Sequence, residues 1–337
     1  MSRTLKLLIG IAVSAVCVWL SMRDVRLSEV VAALRQANYA GFFASMALTL
    51  IGFWIRAVRW RSLITSPRRL STDSLFSATM IGFMANNVLP FRLGEFVRPW
   101  ALSRREKLSK TTLLATVVVE RAVDMITLLG ILGLALLIHP ISADTEAGRM
   151  TRAGAGLLVL MCIGLTGFVI ALEWSPKLAH TVFSWLTRPL PERIRSRVMA
   201  MLGHFFEGLG LFKDLPRLAW VFLLSFLMFG MFAIGLWVCM WSLGLGVPWY
   251  GGLTMLVITA IGIMVPAAPG YIGTLNLACI AGLALFHVGK DLAVPFSWFY
   301  WASQWIPVTV VGLFYLQREG LSLKSLGEAE KPEAASA

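Results

Sequence analysis

Within the apolar run "TTLLATVVVERAVDMITLLGILGLALLI", Thr111 to Ile138, stand three ionisable residues, Glu120, Arg121 and Asp124. At 1.5 Å per residue they lie about 14 to 20 Å along a helix that starts at Thr111. That depth is close to the middle of a bilayer, where one Arg or Asp costs roughly 2.5 to 3.5 kcal/mol. Three unpaired charges would cost on the order of 8 to 10 kcal/mol, less whatever pairing and water recover. Glu120 and Asp124 are four residues apart and share a helix face, with Arg121 turned about 100° away. Their partners must therefore come from another segment.

The stretch "NNVLPFRLGEFVRP", Asn86 to Pro99, supplies candidates in Arg92, Glu95 and Arg98. Planar guanidinium groups can grip a phosphate with two parallel hydrogen bonds. Carboxylates can hold those guanidinium groups in place or exchange protons. After a break at Pro90, a half-helix starting near Gly94 would aim free N–H groups and its positive dipole end at the same place. Asn86 and Asn87 can satisfy backbone groups that the break releases. A structural ion-pair network that pins this stretch to the 111–138 span is the alternative. A buried ion pair gains little stability where leucine would serve, and the two roles are compatible.

A second break, "VPAAPGYIGT", carries no charge and offers Pro266, Pro269, Gly270, Tyr271, Gly273 and Thr274, with Asn276 just beyond it. Its backbone, hydroxyl and amide groups suit the uncharged side of a site. In the last apolar run Ser303 and Gln304 are expected to face inward, whereas Trp298, Trp301 and Trp305 read as an interfacial belt. The substrate-binding candidates are thus Asn86, Asn87, Arg92, Glu95, Arg98, Glu120, Arg121, Asp124, Tyr271, Thr274 and Gln304. Pro90, Gly94, Pro266, Pro269, Gly270 and Gly273 are the candidate hinges.

These residues need a frame, and composition identifies it. Of 337 residues 58% are hydrophobic and 14% charged, against about 25% charged in soluble chains. The chain reads as an all-α integral membrane protein. Its formal net charge of +12 falls in short loops between apolar runs, so it reports orientation rather than nucleic-acid binding. The four cysteines lie singly in separate apolar segments, without metal-ligand spacing. No metal, cofactor or catalytic triad is expected. The first apolar run, flanked by basic residues, resembles a signal peptide but is long enough to span and lacks a cleavage site, so it is expected to stay.

Runs near 4–22, 40–60, 111–138, 152–172, 218–241 and 293–316 predict about six crossings. The regions 73–102 and 251–289 are interrupted by Pro and Gly and read as re-entrant hairpins. Basic clusters on both sides of 73–102 would violate the positive-inside bias if that region crossed once. It is therefore expected to enter from the cytoplasm and return there. The same parity sends 251–289 in from the outer face. "IGFMANNVLPFRLGE" and "IGIMVPAAPGYIGT" also share a short pattern. The expected plan is an inverted repeat, 1–138 and 139–318, whose broken helices meet near the midplane. Residues 23–38 and 189–215 read as surface amphipathic helices, and 319–337 as a disordered cytoplasmic tail.

At "NNVLPFRLGEFVRPWAL", "ERAVD" and "PAAPGYIGT" the sequence resembles the flippase-like membrane family that includes the transmembrane domain of lysylphosphatidylglycerol synthases. The likeness covers roughly residues 5–318. It implies translocation of a lipid between leaflets of a bacterial inner membrane, with both termini cytoplasmic. The implied lipids are an anionic or aminoacylated phospholipid, a hopanoid-type lipid or a polyprenyl-phosphate carrier. Synthases of that family carry a large soluble domain after the membrane part, and this sequence ends at 337, so synthase activity is not expected.

The leading expectation is a flippase or scramblase that is not an enzyme and is driven passively or by an ion gradient, since no GxxxxGK[ST] pattern is present. A membrane-embedded enzyme acting on a lipid-linked substrate, with Glu95, Glu120 or Asp124 as a general base, is one alternative. A non-catalytic membrane partner of a lipid- or glycan-modifying enzyme, docked through the basic segment near 193–217, is another. The sequence leaves open a homodimer that covers the broken helices.

Overall fold

The computed structural model describes residues 3–23, 25–64, 69–89, 92–138, 214–264 and 269–326, with isolated helical positions between 149 and 192. Most of the expected 152–172 span, the basic helix over 189–215 up to 213, Pro90, Pro266 and the expected 319–337 tail from 327 on lie outside the described residues; the expected disorder does not hold for 319–326, where Leu326 is buried. Every regular element among the described residues is helical: α1 (Arg3–Met22), α2 (Leu27–Gln36), α3 (Tyr39–Leu63), α4 (Thr72–Val88), α5 (Gly94–Glu106), α6 (Lys110–Ile138), α7 (Leu215–Ser242), α8 (Gly251–Gly262), a 3-10 turn (Pro269–Tyr271), α9 (Thr274–Ala284) and α10 (Lys290–Arg318). α3, α6 and α7 are long and apolar enough to cross a membrane. α10, at 29 residues, is long enough but is interrupted by Pro295, Gln304 and Pro307. The chain is an all-α membrane protein.

Local chemistry sets the helix starts. Asn38 accepts the Ala40 N–H at 3.0 Å, Ser71 accepts the Ser74 N–H at 3.0 Å, and Asp214 accepts the Arg217 N–H at 3.1 Å. Each side chain satisfies one donor that the first turn leaves free.

The two interrupted regions are hairpins with mouths at opposite ends. At the mouth of the first, Asp73 near the start of α4 pairs with Arg105 near the end of α5 at 2.8 Å. Arg318 joins Asp73 at 3.1 Å and Glu319 joins Arg105, so the end of α10 closes the same mouth. Ser62 at the end of α3 accepts a hydrogen bond from Arg217 near the start of α7 at 2.7 Å, which places both at this basic end. α7 then runs away to Ser242, whose carbonyl accepts the Asn38 N–H at 2.9 Å near the start of α3. There the second hairpin opens, with the rings of Tyr250 and Phe286 6.5 Å apart across its two arms.

The tips of the hairpins meet inside. Trp301 of α10 donates to the Gly270 carbonyl at 2.8 Å, and Trp305 donates to the Asn87 carbonyl at 3.5 Å. A Cβ on Gly270, whose φ is +73°, would lie 3.4 Å from that Asn87 oxygen. The expected interfacial belt is thereby corrected for Trp301 and Trp305. These rings stack on each other at 5.6 Å and bridge the two breaks. α1 packs against the second tip, where a Cβ on Gly273 would meet Cys17 Cβ at 2.7 Å.

Two predictions follow from this packing. In Gly94→Ala the new Cβ would lie 1.9 Å from the Gly82 carbonyl oxygen across the first hairpin, so a loss of about 1 to 3 kcal/mol is expected. Thermal unfolding in detergent should show it, with Gly133→Ala inside α6, which meets nothing within 4 Å, as a control that should lose no stability. The second concerns Asp73, which lies at the mouth. Burial works to raise its pKa, but hydrogen bonds from Arg105 and Tyr315 and the charges of Arg318 and Arg105 outweigh it and hold the carboxyl below the usual range. A depressed folded pKa gives stability that is complete above the unfolded value of about 3.9 and lost as pH falls through the folded one. Wild type should exceed Asp73→Asn in thermal stability at pH 7, and the two should converge as pH falls below about 4.

Candidate functional site

The centre of the structure is an ion network spread over three helices. Arg56 and Arg59, three apart on α3, face Glu120 and Asp124, four apart on α6. Arg56 Nη1 lies 2.7 Å from Glu120 Oε1 and 3.2 Å from Asp124 Oδ2. Arg59 reaches Asp124 Oδ1 at 2.7 Å and Glu120 Oε1 at 3.2 Å. From α5, Arg98 Nη1 closes on Glu120 Oε2 at 2.7 Å. Arg59 and Glu120 are fully buried.

Aromatic groups complete the shell. The Arg98 guanidinium sits 3.8 Å from the ring centroid of Trp60, a favourable cation–π geometry. Trp60 in turn donates to Thr116 at 2.9 Å, which ties α3 to α6 beside the ions. The Arg56 guanidinium lies 5.2 Å from the Phe83 ring of α4.

Next to this network is a cavity of about 460 Å³ between the two hairpin tips. Its polar lining comes from Arg56, Asn86, Asn87, Arg92, Glu95, Arg121, Asp124, Tyr271 and Gln304, and its apolar lining includes Phe53, Phe83, Phe232, Trp301 and Trp305. Arg121 pairs with Glu95 at 3.2 Å, and their side chains are 39% and 32% exposed, so this pair is only partly covered by protein. At the junction the Arg92 guanidinium lies 5.2 Å from the Tyr271 ring. Arg92 has φ of 51° and Tyr271 φ of 59°. A left-handed backbone costs a non-glycine residue roughly 1 to 2 kcal/mol. Both breaks thus hold a strained residue, and the two side chains are stacked together.

Arg92 differs from the other arginines. No carboxylate lies within ion-pair distance of it among the described residues, and its Nη2 is buried without a hydrogen-bond partner. Arg56, Arg59, Arg98 and Arg121 each also keep a buried Nε without a hydrogen-bond partner.

The structure therefore sorts the candidate residues. Asn86, Asn87, Arg92, Glu95, Arg121, Asp124, Tyr271 and Gln304 line one cavity. Glu120 and Arg98 lie behind its wall, where they hold other charges in place. Thr274 is buried and donates to the Tyr271 carbonyl at 3.3 Å instead of facing the chamber. Asn86 accepts the Gly94 N–H at 2.8 Å, so one donor of the α5 N-terminus is already occupied. Gln304 likewise accepts from Thr49 at 2.9 Å and donates to Ser303 at 3.2 Å. Asn276, named with the second break in the sequence, accepts the Gly273 N–H at 3.0 Å and plays for that break the part that Asn86 plays for the first.

Arg56 and Arg59 are the larger omission. In the sequence they look like the leading edge of a basic loop cluster that reaches Arg69. Their spacing of three, inside a run that remains apolar to Trp60, was the available signal. Both lie within α3, and they supply most of the countercharge for Glu120 and Asp124.

Residues 7–312 match the family described as the lysylphosphatidylglycerol synthase TM region. The chain is also 25% identical over 136 residues to a protein named Glycosyltransferase AglD from Haloferax volcanii. That similarity covers 40% of this chain and 22% of the relative, so the chain spans about a fifth of that protein's length.

Removing one member of a buried ion cluster strands the others, at about 3 to 5 kcal/mol. Glu120→Ala deprives Arg56, Arg59 and Arg98 of a shared partner, and a loss of that size is expected. Glu95→Ala, which breaks a partly exposed pair, should cost about 0 to 1 kcal/mol. Unfolding midpoints of the two variants in the same detergent check the difference, and equal midpoints would show that the network does not hold the fold.

Proposed function

Since the chain belongs to the lysylphosphatidylglycerol synthase TM region family, we propose that it moves a lipid with a phosphate-bearing, anionic head group between membrane leaflets. The head group occupies the cavity between the hairpin tips, and the acyl chains stay in the bilayer. The observation that carries this reading is Arg92, a guanidinium with no carboxylate within ion-pair distance among the described residues, aimed into a chamber. A structural ion pair would have supplied its own partner. An anionic substrate supplies it here, by charge-assisted hydrogen bonds.

The two hairpins belong to opposite halves of an inverted repeat, 1–138 and 139–318, and each tip gates the chamber from its own side. The basic end, with Arg61, Arg105, Arg217 and Arg318, faces the cytoplasm, and so do both termini. The protein resides in a bacterial inner membrane. Glu95 is the carboxylate best placed to exchange a proton with solvent, because Glu120 is sealed behind the wall.

A second reading follows from the name of the relative, Glycosyltransferase AglD: an enzyme acting on a lipid-linked substrate, with Glu95 or Asp124 as base. Chemical turnover of lipid by the purified protein alone distinguishes it from translocation.

Leaflet exchange of fluorescent anionic and zwitterionic lipids in proteoliposomes tests the proposal. A charge-assisted hydrogen bond contributes about 1.5 to 3 kcal/mol, so Arg92→Ala should slow exchange of the anionic lipid roughly 10- to 100-fold. Arg92→Gly removes the same contact while relieving the left-handed backbone. Its stability should stay within about 1 kcal/mol of wild type, because the relief offsets the lost stacking on Tyr271. Exchange at the wild-type rate in both folded variants would sink the proposal.

A further inference from the structure

Charge at the chamber does not balance. Among the described residues lining the cavity or directly behind it, five guanidinium groups (Arg56, Arg59, Arg92, Arg98 and Arg121) face three carboxylates (Glu95, Glu120 and Asp124). Two positive charges remain uncompensated. No other acidic or basic side chain among the described residues lines the cavity; α7, α8, α9, α10 and the 3-10 turn contribute apolar groups, Tyr271, Tyr300 and neutral polar groups. A net charge held at this depth in a membrane is costly unless a counter-charge neutralises it.

The unused donors point the same way. Arg56 is 5% exposed and lines the cavity. Its Nε has no hydrogen-bond partner, and neither do Arg92 Nη2 and Arg121 Nε. Tyr271 lies within electrostatic reach of Arg92, Glu95 and Arg121, so these groups share one corner of the chamber.

Resting on the translocation reading, we infer that the head group carries two negative charges: a lipid phosphomonoester, or a lipid diphosphate esterified at both ends. A phosphodiester, with one charge, leaves one guanidinium uncompensated and offers fewer free oxygens to the waiting donors. A phosphomonoester presents three terminal oxygens and loses its second proton near pH 6. The apolar lining from Phe53, Phe83 and Phe232 covers the first part of the attached chain, which makes a lipid rather than a free anion the occupant.

The test is a binding titration by calorimetry on the full chain in neutral maltoside micelles, with dodecyl phosphate, its methyl diester and inorganic phosphate as probes. At pH 8 dodecyl phosphate is expected to bind at least about 10-fold more tightly than the diester. The gap should narrow at pH 5, where the monoester has regained a proton. The diester reports any change in the charge of the protein itself at each pH. Folded Arg92→Gln should lose most of the preference, and if it does not fold the wild-type pH comparison still decides. Equal affinity for the two esters at pH 8, or a gap unchanged at pH 5, overturns the inference while leaving translocation to its own exchange assay. Inorganic phosphate binding as tightly as dodecyl phosphate overturns the lipid assignment in favour of a free anion. Conversely, a lost exchange activity with the preference intact would defeat translocation and spare the ligand class.

Discussion

Pairing of α3 with α6 through Arg56, Arg59, Glu120 and Asp124 is the constraint on which the other features depend. Neither helix can place its charges at mid-membrane alone, because each isolated ion there is unfavourable by several kcal/mol. Brought face to face, four side chains satisfy one another over distances of 2.7 to 3.2 Å. Arg98 then draws α5 onto the same pair through Glu120. The first hairpin is thereby held by its C-terminal arm deep in the protein, and by Asp73, Arg105 and Glu319 at its mouth.

Anchoring both ends of that hairpin lets its tip be irregular. Arg92 takes a left-handed conformation and stacks on Tyr271, which does the same from the opposing hairpin. Strain of this kind persists only where surrounding structure over-determines it. Trp301 and Trp305 of α10, bound to carbonyls of the two breaks, provide part of that determination. The asparagines Asn86 and Asn276 cap the backbone N–H groups that the breaks release. The described backbone beside the breaks thus finds hydrogen-bond partners within the protein, as a membrane requires.

The same arrangement divides the ions by task. Glu120, Arg59 and Arg98, away from the chamber, are structural. Arg92, Arg121 and Glu95 border it. The buried ions thus hold in place the charges that line the cavity. Arg56 and Asp124 belong to both groups, paired behind and exposed to the chamber in front.

Membrane location, helical class, the two breaks and the buried charges of α6 were legible in the sequence, because each is a local property of composition or spacing. An apolar run, an interrupting proline and a glutamate among valines report themselves without reference to the fold. Pairing is not local. Arg56 and Arg59 are 64 and 65 residues from Glu120 and Asp124, respectively, and in the sequence they merge with the basic loop that follows. The roles of Trp301 and Trp305 were decided the same way, since an aromatic at a membrane interface and one bridging two broken helices look identical in one dimension. What tertiary structure alone settled was which charge found which partner. That left Arg92, out of five arginines around the site, with no carboxylate of its own among the described residues.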